Sequence, residues 1–434
     1  MLDIQFIREN FRQIQKAADD KNINLKVKDL LKIDKERRNF QSKINNLQKQ
    51  KNNLNKEIKG KPTKEQLKKA KAIKKEISQL EKKFKKVEKK FNKLMAKVPV
   101  IPSKDTPLGR DERDNVEVGR WGEIPKFDFK PKSYMQLARD LDLIDFKRGV
   151  KVAGYRGYYV KNEGVLLQMG MMMYALKKLI EKGFTPIIPP TLVREFVLFG
   201  TGYFEGEKYD KSVDNIYKIE NKDVLADGSV KKENKFLVGT AEPSLLAYYA
   251  NEVLDEKDLP VRFCGFSQCY RSEIGSYGKD TKGIYRVHEF VKVEQVCICK
   301  ADVKESDKLH QEMVENSKEL HKDLKLPFRQ LQICTGDMAA GKYKMFDLEA
   351  WMPSRKSYGE TGSASNFLDW QSRRLNVKYK DKQGNKKYVF MLNNTALPSV
   401  RPLISIMENH QTKEGFIKVP KVLQEYVGKK IIGK

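Results

Sequence analysis

Cysteine is scarce in this chain of 434 residues. The five present, Cys264, Cys269, Cys297, Cys299 and Cys334, are an odd number and have no pair-of-pairs spacing for zinc. Cys297 and Cys299 stand two apart in a strand-like run, so they share a face and are expected to be buried. Free thiols fit a reducing compartment, the cytoplasm. No run approaches 18 apolar residues, so no membrane span is predicted. The opening MLDIQFIREN lacks an apolar core of signal-peptide length. There is no GxxxxGK[ST] and no GxGxxG after a strand, which disfavours the glycine-loop nucleotide folds. Acidic residues fall short of basic ones, 58 against 86, which leaves a formal charge of +28. That imbalance implies a polyanionic partner, either nucleic acid or an acidic membrane surface.

The basic excess is concentrated. Between Lys32 and Lys97 there are 24 Lys or Arg and 7 Asp or Glu. The same stretch carries a heptad seam. Leu30, Ile33, Phe40, Ile44, Leu47, Leu54 and Ile58 form one series, in which Arg37 and Lys51 fill two seam positions. Leu67, Ala70, Ile73, Ile77, Leu80, Phe84, Val87, Phe91 and Leu94 form the other. Gly60-Lys61-Pro62 is a stop and restart between them. The pattern predicts an antiparallel helical hairpin over about 28–97, roughly 45 Å long at 1.5 Å per residue. A solvated coiled coil usually balances its charges. This one does not, and a projecting basic rod suits contact with a nucleic-acid backbone. Pro99 and Pro102 end the hairpin and open a linker. The domains are therefore 1–105, with the arm, and 106–434. The second reads as α+β: helices at 165–182, 302–324 and 363–376 among short strands joined by turns, which predicts an antiparallel β-sheet flanked by helices.

The chemistry concentrates in CYRSEIGSYGKDTKGIYRVHEFVKVEQV, Cys269 to Val296. From Ile284 to Cys299 the residues alternate. Tyr285, Val287, Val291 and Val293 face a core, and Arg286, His288, Phe290, Lys292 and Glu294 face the other way. Arg271 and Glu273 close the preceding strand, and the glycine-rich 274–283 loop makes the pair a long hairpin. Arginines converge on phosphate, an aromatic ring offers a stacking platform, and carboxylates bind an amine or a metal.

This segment resembles the second signature motif of class II aminoacyl-tRNA synthetases, in the form seen in seryl-tRNA synthetases. The resemblance extends along essentially the whole chain in family order. GFTPIIPPTLV (Gly183 to Val193) is similar to the first motif, at the dimer interface, and VGTAEPSLLAYYANEVL (Val238 to Leu254) to the serine-site loop. DLEAWMPSRKSYGETGSASNFLDWQSRR (Asp347 to Arg374) resembles the metal and ATP region, LNNTALPSVRPLISIMENHQ (Leu392 to Gln411) the third motif, and VPKVLQEY the C-terminal segment. The helical hairpin is similar to the tRNA-binding arm.

The resemblance implies an enzyme that uses ATP and Mg2+ to activate L-serine and load it on tRNA(Ser), with tRNA(Sec) permitted, and that works as a homodimer. It implies that Arg271 holds the α-phosphate, Glu273 meets the adenine amino group and Arg286 binds the phosphate tail. Phe290 stacks under adenine, and Arg401 covers the other face and reaches the γ-phosphate. Glu360 and Ser363 hold the metal. Thr240, Glu242, Arg271, Glu294, Asn393 and Thr395 form the serine site. Taken singly, Arg401 reads as a helix-end ion pair, Glu242 as a helix-dipole partner, and Thr240 and Thr395 as turn residues. His288 reads as a hydrogen-bonded structural histidine. Four positions depart from the family's usual residues: Gly157, Gly359, Ala364 and Pro402, the last tolerable in a helix's first turn. Two competing readings are an inactive basic RNA-binding protein and a carrier-charging relative. The intact Arg271, Glu294 and Arg401 weigh against the first, and the long arm weighs against the second.

Overall fold

The computed structural model describes residues 1–57, 60–204, 206, 208–231, 233–274 and 282–433. Ile58 of the predicted seam and positions 275–281 of the predicted hairpin loop lie outside the described residues. The chain divides into two compact units, Met1–Ile101 and Pro102–Lys434.

In the first unit two short helices, α1 (Ile4–Glu9) and α2 (Phe11–Asp20), precede the two long ones, α3 (Val27–Glu57) and α4 (Lys64–Met95). α4 starts at a reciprocal capping box: Thr63 Oγ1 accepts from the Gln66 N–H, and the Gln66 side chain accepts from the Thr63 N–H. The root of the hairpin has a true core of Ile7, Ile14, Leu25, Val27, Leu30, Phe91, Met95 and Val98. Further out, two helices alone cannot enclose their seam. Ile44 and Ile77 are buried, Leu47 and Leu54 are half-buried, and Leu67 near the tip is exposed. The break in the heptad at Arg37 has a physical reason. Its guanidinium lies 4.4 Å from the centre of the Phe91 ring across the seam, so a cation–π contact replaces an apolar knob. The same arginine joins Arg8 and Arg38 around Asp34, which is only 1 % exposed, at 3.2, 2.7 and 3.1 Å.

The second unit is α+β. Its main sheet has eight strands among the described residues: β1 (Val116–Trp121), β2 (Thr185–Ile187), β3 (Val261–Tyr270), β4 (Glu289–Cys299), β5 (Phe328–Gln332), β6 (Lys344–Met352), β7 (Ser357–Asn366) and β8 (Phe390–Pro398). They lie in the order β1-β5-β6-β7-β8-β4-β3-β2, antiparallel throughout except for the β2–β3 edge. Interspersed are α5 (Glu163–Glu181), α6 (Glu195–Thr201), α7 (Glu242–Leu246), α8 (Val303–Asp323), α9 (Trp370–Leu375) and α10 (Val400–Asn409). Leu167, Met171 and Leu179 of α5 share one core with Val293, Cys297, Leu392, Leu403 and Met407. All five cysteines are buried and free.

α8 is fixed on the sheet by polar groups as well as apolar ones. Asn394 Nδ2 donates to the Met313 carbonyl (2.6 Å) and to Ser317 Oγ (2.8 Å). Asn316 Nδ2 donates to Gln295 Oε1 (2.8 Å), and Ser317 Oγ donates to the Thr395 carbonyl (3.1 Å). These bonds satisfy buried amides and lock β4 and β8 in one register. Two sequence expectations are corrected here. The helix expected over 363–376 spans only Trp370–Leu375. Ser363–Asn366 instead completes β7, because it is paired with β6 on one side and, over Ala364–Asn366, with β8 on the other. The strand expected from Ile284 begins at Glu289, and its partner ends at Tyr270 rather than carrying Arg271 and Glu273 in the ladder. Glu273 has a left-handed backbone, φ 55°, which ends extended pairing there.

The Asp34 cluster yields a stability prediction. Asp34→Leu leaves three arginines facing one another at the arm's root, all of them partly exposed to water. The expected cost is about 1–3 kcal/mol, below that of a fully buried unpaired charge. Thermal unfolding followed by helical circular dichroism should show a lowered transition for the N-terminal unit. An unchanged curve would mean that Asp34 contributes nothing net.

Candidate active site

The ends of β3 and β4 set the site. Past Tyr270 the two chains exchange one more pair of bonds: the Arg271 N–H donates to the His288 carbonyl (2.9 Å), and His288 Nδ1 lies 2.9 Å from the Arg271 carbonyl. A carbonyl only accepts, so Nδ1 carries the proton. His288 is thus a structural histidine. The Arg271 side chain reaches the Gly239 carbonyl (3.4 Å) and sits 5.2 Å from the centre of the Phe290 ring. Two residues on, the Glu273 carboxylate lies 3.4 Å from Arg156 and 3.6 Å from Arg286.

Of these groups, Arg271, Glu273, Arg286 and Phe290 line one cleft with Tyr285, Lys292, Glu360, Thr395 and Arg401. Arg401 comes from the first turn of α10, where Pro402 is sterically admissible. Its guanidinium donates to the Glu360 carbonyl (2.9 Å) and carboxylate (3.0 Å), and stacks 4.5 Å from the Tyr285 ring centre, with Arg355 at 4.1 Å. The surrounding protein disfavours charge on Glu360, but Arg401 and Arg271 outweigh it and hold its carboxyl below the ordinary range. Its side chain also keeps 46 % exposure. Gly359 has little room for a side chain, because a Cβ there would stand 2.8 Å from the Tyr285 hydroxyl. Gly157 is equally constrained, its Cβ falling 2.4 Å from the Gly149 carbonyl.

Glu294 and Thr395 face each other across β4 and β8. Lys292 Nζ is 2.6 Å from Glu294 Oε2 and 3.2 Å from Thr395 Oγ1, and the Thr395 hydroxyl donates to Glu294 (3.1 Å). Both charged side chains are almost fully buried, so each needs the other. Asn393, two residues back on β8, shares the Thr395 face and is also buried. Thr240 and Glu242 are buried at the start of α7. Both oxygens of Glu242 are occupied: Oε2 by the Tyr203 hydroxyl (2.7 Å) and Oε1 by Gln371 Nε2 (2.8 Å). Burial, reinforced by the charge of Glu294, still pushes the Glu242 carboxyl above its ordinary value.

Ser363 lies beyond Glu360 on β7 and lines a smaller recess with Asp347, its cross-strand partner. Burial and the charge of Glu360 push the Asp347 carboxyl well up, and its Oδ1 is buried without a hydrogen-bond partner.

The structure therefore gathers Arg271, Glu273, Arg286, Phe290, Glu360, Thr395 and Arg401 around one cleft, with Glu294 behind Lys292 and Thr395. Thr240, Glu242 and Asn393 lie in the protein beside it, and Ser363 in the adjoining recess. Sequence reasoning missed Tyr203, Asn215, Gln371, Arg156 and Asp347. Only Asp347 carried a usable signal, as an acidic residue two before Glu349 in one strand-like run.

Glu242 gives a pH prediction. Its native-state value lies above the ordinary 4.5, so the native state holds this proton more tightly than the unfolded chain does. The penalty for ionising it is absent below that ordinary value and grows as pH rises through the native-state value. Glu242→Gln keeps partners for Tyr203 and Gln371 but removes the charge. Denaturant melts should match wild type near pH 4 and show the variant increasingly more stable towards pH 8. A constant difference across that range would sink the argument.

Comparison with known proteins bears on the whole chain. Residues 1–102 match the seryl-tRNA synthetase N-terminal domain, and residues 217–410 match the tRNA synthetase class II core domain (G, H, P, S and T). The serine--tRNA ligase of Borrelia garinii subsp. bavariensis is 45 % identical over 335 residues, 76 % of this chain and 75 % of that protein. The serine--tRNA ligase of Deinococcus radiodurans is 38 % identical over 431 residues, 99 % of this chain and 98 % of that one. The crystal structure of seryl-tRNA synthetase from Pyrococcus horikoshii complexed with ATP superimposes with a TM-score of 0.88 at 38 % identity, covering 100 % of this chain and 99 % of that one. With the chain covered end to end at this identity, it belongs to the seryl-tRNA synthetase family.

Proposed function

We propose that this ligase activates L-serine with ATP to seryl-adenylate, releasing pyrophosphate, and transfers the seryl group to the 3′-terminal adenosine of tRNA(Ser). The observation that carries the reading is the convergence of Arg271, Arg286 and Arg401 with Glu273 and Phe290 on one cleft, beside the Glu294–Thr395 pair. The serine carboxylate attacks the α-phosphorus in line. Such a step needs alignment and charge neutralisation rather than a protein nucleophile. Arg271 takes the α-phosphate, and Arg286 and Arg401 take the tail. Phe290 and Arg401 sandwich the adenine, and Glu273 accepts from its amino group. Glu242, Glu294, Thr240, Asn393 and Thr395 bind the serine ammonium and hydroxyl.

Mg2+ fits the adjoining residues. Glu360 on the cleft, and Ser363 with the unpartnered Asp347 Oδ1 in the recess, are hard oxygen donors of the kind that suits this cation. When bound there, the ion would neutralise phosphate charge. The N-terminal domain, 1–105, serves as the tRNA-binding part, and 106–434 as the catalytic part. A homodimer is supported by an exposed apolar row on α5, Val165, Leu166, Met169, Met173 and Ile180, together with Ile188. The cytoplasm suits its free thiols.

The test is amino-acid-dependent ATP–pyrophosphate exchange. Serine should be preferred over alanine and glycine, because a site that hydrogen-bonds a hydroxyl leaves buried groups unpaired when that hydroxyl is missing, and over threonine by the size of its extra methyl, which is worth only roughly 1–3 kcal/mol. A preference for threonine, proline or alanine would overturn the serine assignment. Arg271→Ala should lower exchange on the order of 10²-fold or more, through loss of a transition-state cation. Near-normal exchange would remove it from the phosphate site.

The arm separates the two half-reactions. A chain lacking Leu30 to Leu94 should still exchange pyrophosphate but lose tRNA charging, and tRNA binding by the full chain should weaken steeply with salt. Equal charging of tRNA(Ser) with and without the arm would refute its role. The same assay with tRNA(Sec) reads that second acceptor.

A further inference from the structure

We infer that Asn215 is a positioning residue for nucleotide selection: its side-chain carbonyl holds Glu273 in the left-handed turn that aims this carboxylate into the cleft. The inference rests on the reading of Glu273 as the adenine contact. Asn215 is 58 residues away in sequence, yet its Oδ1 accepts the Glu273 N–H at 2.6 Å and the Ser272 hydroxyl at 3.2 Å. A carbonyl oxygen has two lone pairs, and both are used on one turn.

The turn needs such a holder. Glu273 sits at φ 55°, a region in which a residue with a Cβ is disfavoured and which persists only when its surroundings fix it. The other end is fixed separately, by the two bonds between Arg271 and His288. Asn215 itself stands on a rigid base. Before it, Asp214 Oδ2 accepts the Asp210 N–H (2.6 Å). After it, Ile216 is buried against Phe204 and Phe236, and Tyr217 begins a strand paired with Leu237. The division of labour follows: His288 holds the phosphate-binding arginine, and Asn215 holds the base-reading glutamate. Without the Asn215 acceptor, Glu273 loses its support in the strained conformation and its carboxylate leaves the position between Arg156 and Arg286, while Arg271 stays in place.

The experiment is pyrophosphate exchange by the full chain with ATP and with GTP, on Asn215→Ala, Asn215→Asp, Glu273→Gln and the Asn215→Ala/Glu273→Gln double variant. Loss of the hydrogen-bond acceptor should raise the KM for ATP about tenfold and narrow the preference for ATP over GTP by about as much. The KM for serine should stay within about twofold, which a general loosening of the fold would not allow. Asn215→Asp keeps the acceptor and should restore ATP KM and nucleotide preference. The double variant should be no less selective than Glu273→Gln alone. Should the alanine variant not fold, Asn215→Gln, which displaces the carbonyl by one methylene, gives the same reading. Wild-type nucleotide preference in the Asn215 variant beside a loss in Glu273→Gln overturns the inference and leaves the Glu273 reading standing. Full preference in Glu273→Gln overturns both.

Discussion

Like-charge repulsion governs the catalytic unit. Arg156, Arg271, Arg286, Lys292 and Arg401 crowd one part of the sheet, and in the folded chain each has an acceptor: Glu273 for two of them, the Gly239 carbonyl, Glu294, and Glu360 for the others. A cluster of cations without such partners would work against its own fold. With them, the positive charge is assembled before any polyanion arrives, so little reorganisation remains for the moment of reaction. The same carboxylates are the groups proposed to read the adenine, the ammonium and the metal. On that proposal, one set of side chains both stabilises the empty site and selects its occupants.

The two units solve opposite problems. The arm spreads its charge over a surface where water screens it, and needs buried compensation only at its root, where three arginines share Asp34. The catalytic unit buries part of its charge, Lys292 and Glu294 above all, and needs geometry there. That difference explains why polar residues penetrate the sheet. Gln295, Asn316, Ser317 and Asn394 are costly core residues individually, but their mutual bonds hold β4 and β8 in the one register that places Lys292, Glu294, Asn393 and Thr395 as they stand.

What the sequence made legible follows from periodicity and order. A heptad seam is visible because its period differs from everything around it, and even its exceptions are meaningful: Arg37 proved to be a seam residue by way of Phe91. The α+β class, α5 and α8 were readable for the same reason. Local alternation failed at the points where long-range bonds decide. Nothing within 284–288 says that extended pairing has stopped, because the cause is a left-handed Glu273 held by Asn215. Ser363–Asn366 looks helical until β6 and β8 claim its backbone. Tyr203 and Gln371 were invisible as partners of Glu242, since each is an ordinary residue on its own helix or turn and their meeting is purely tertiary.

The departures from the family's usual residues belong to the same logic. Position 359 is crowded by the Tyr285 hydroxyl, 2.8 Å from where a Cβ would stand, and the Tyr285 ring is the one against which both Arg401 and Arg355 lie. Gly359 and Tyr285 are thus one feature: a glycine on β7 admits a tyrosine whose ring lies against two guanidinium groups, that of Arg401 at the cleft and that of Arg355. Ala364, packed with Val314 and Phe346, is an apolar contact facing α8 rather than a group of the cleft. Pro402 occupies the first turn of α10, where the missing N–H costs no helical bond, and leaves Arg401 beside it free to turn towards Glu360. The departures at 359 and 402 thus leave intact the arrangement of the site, in which a carboxylate or a ring stands beside each of these cations.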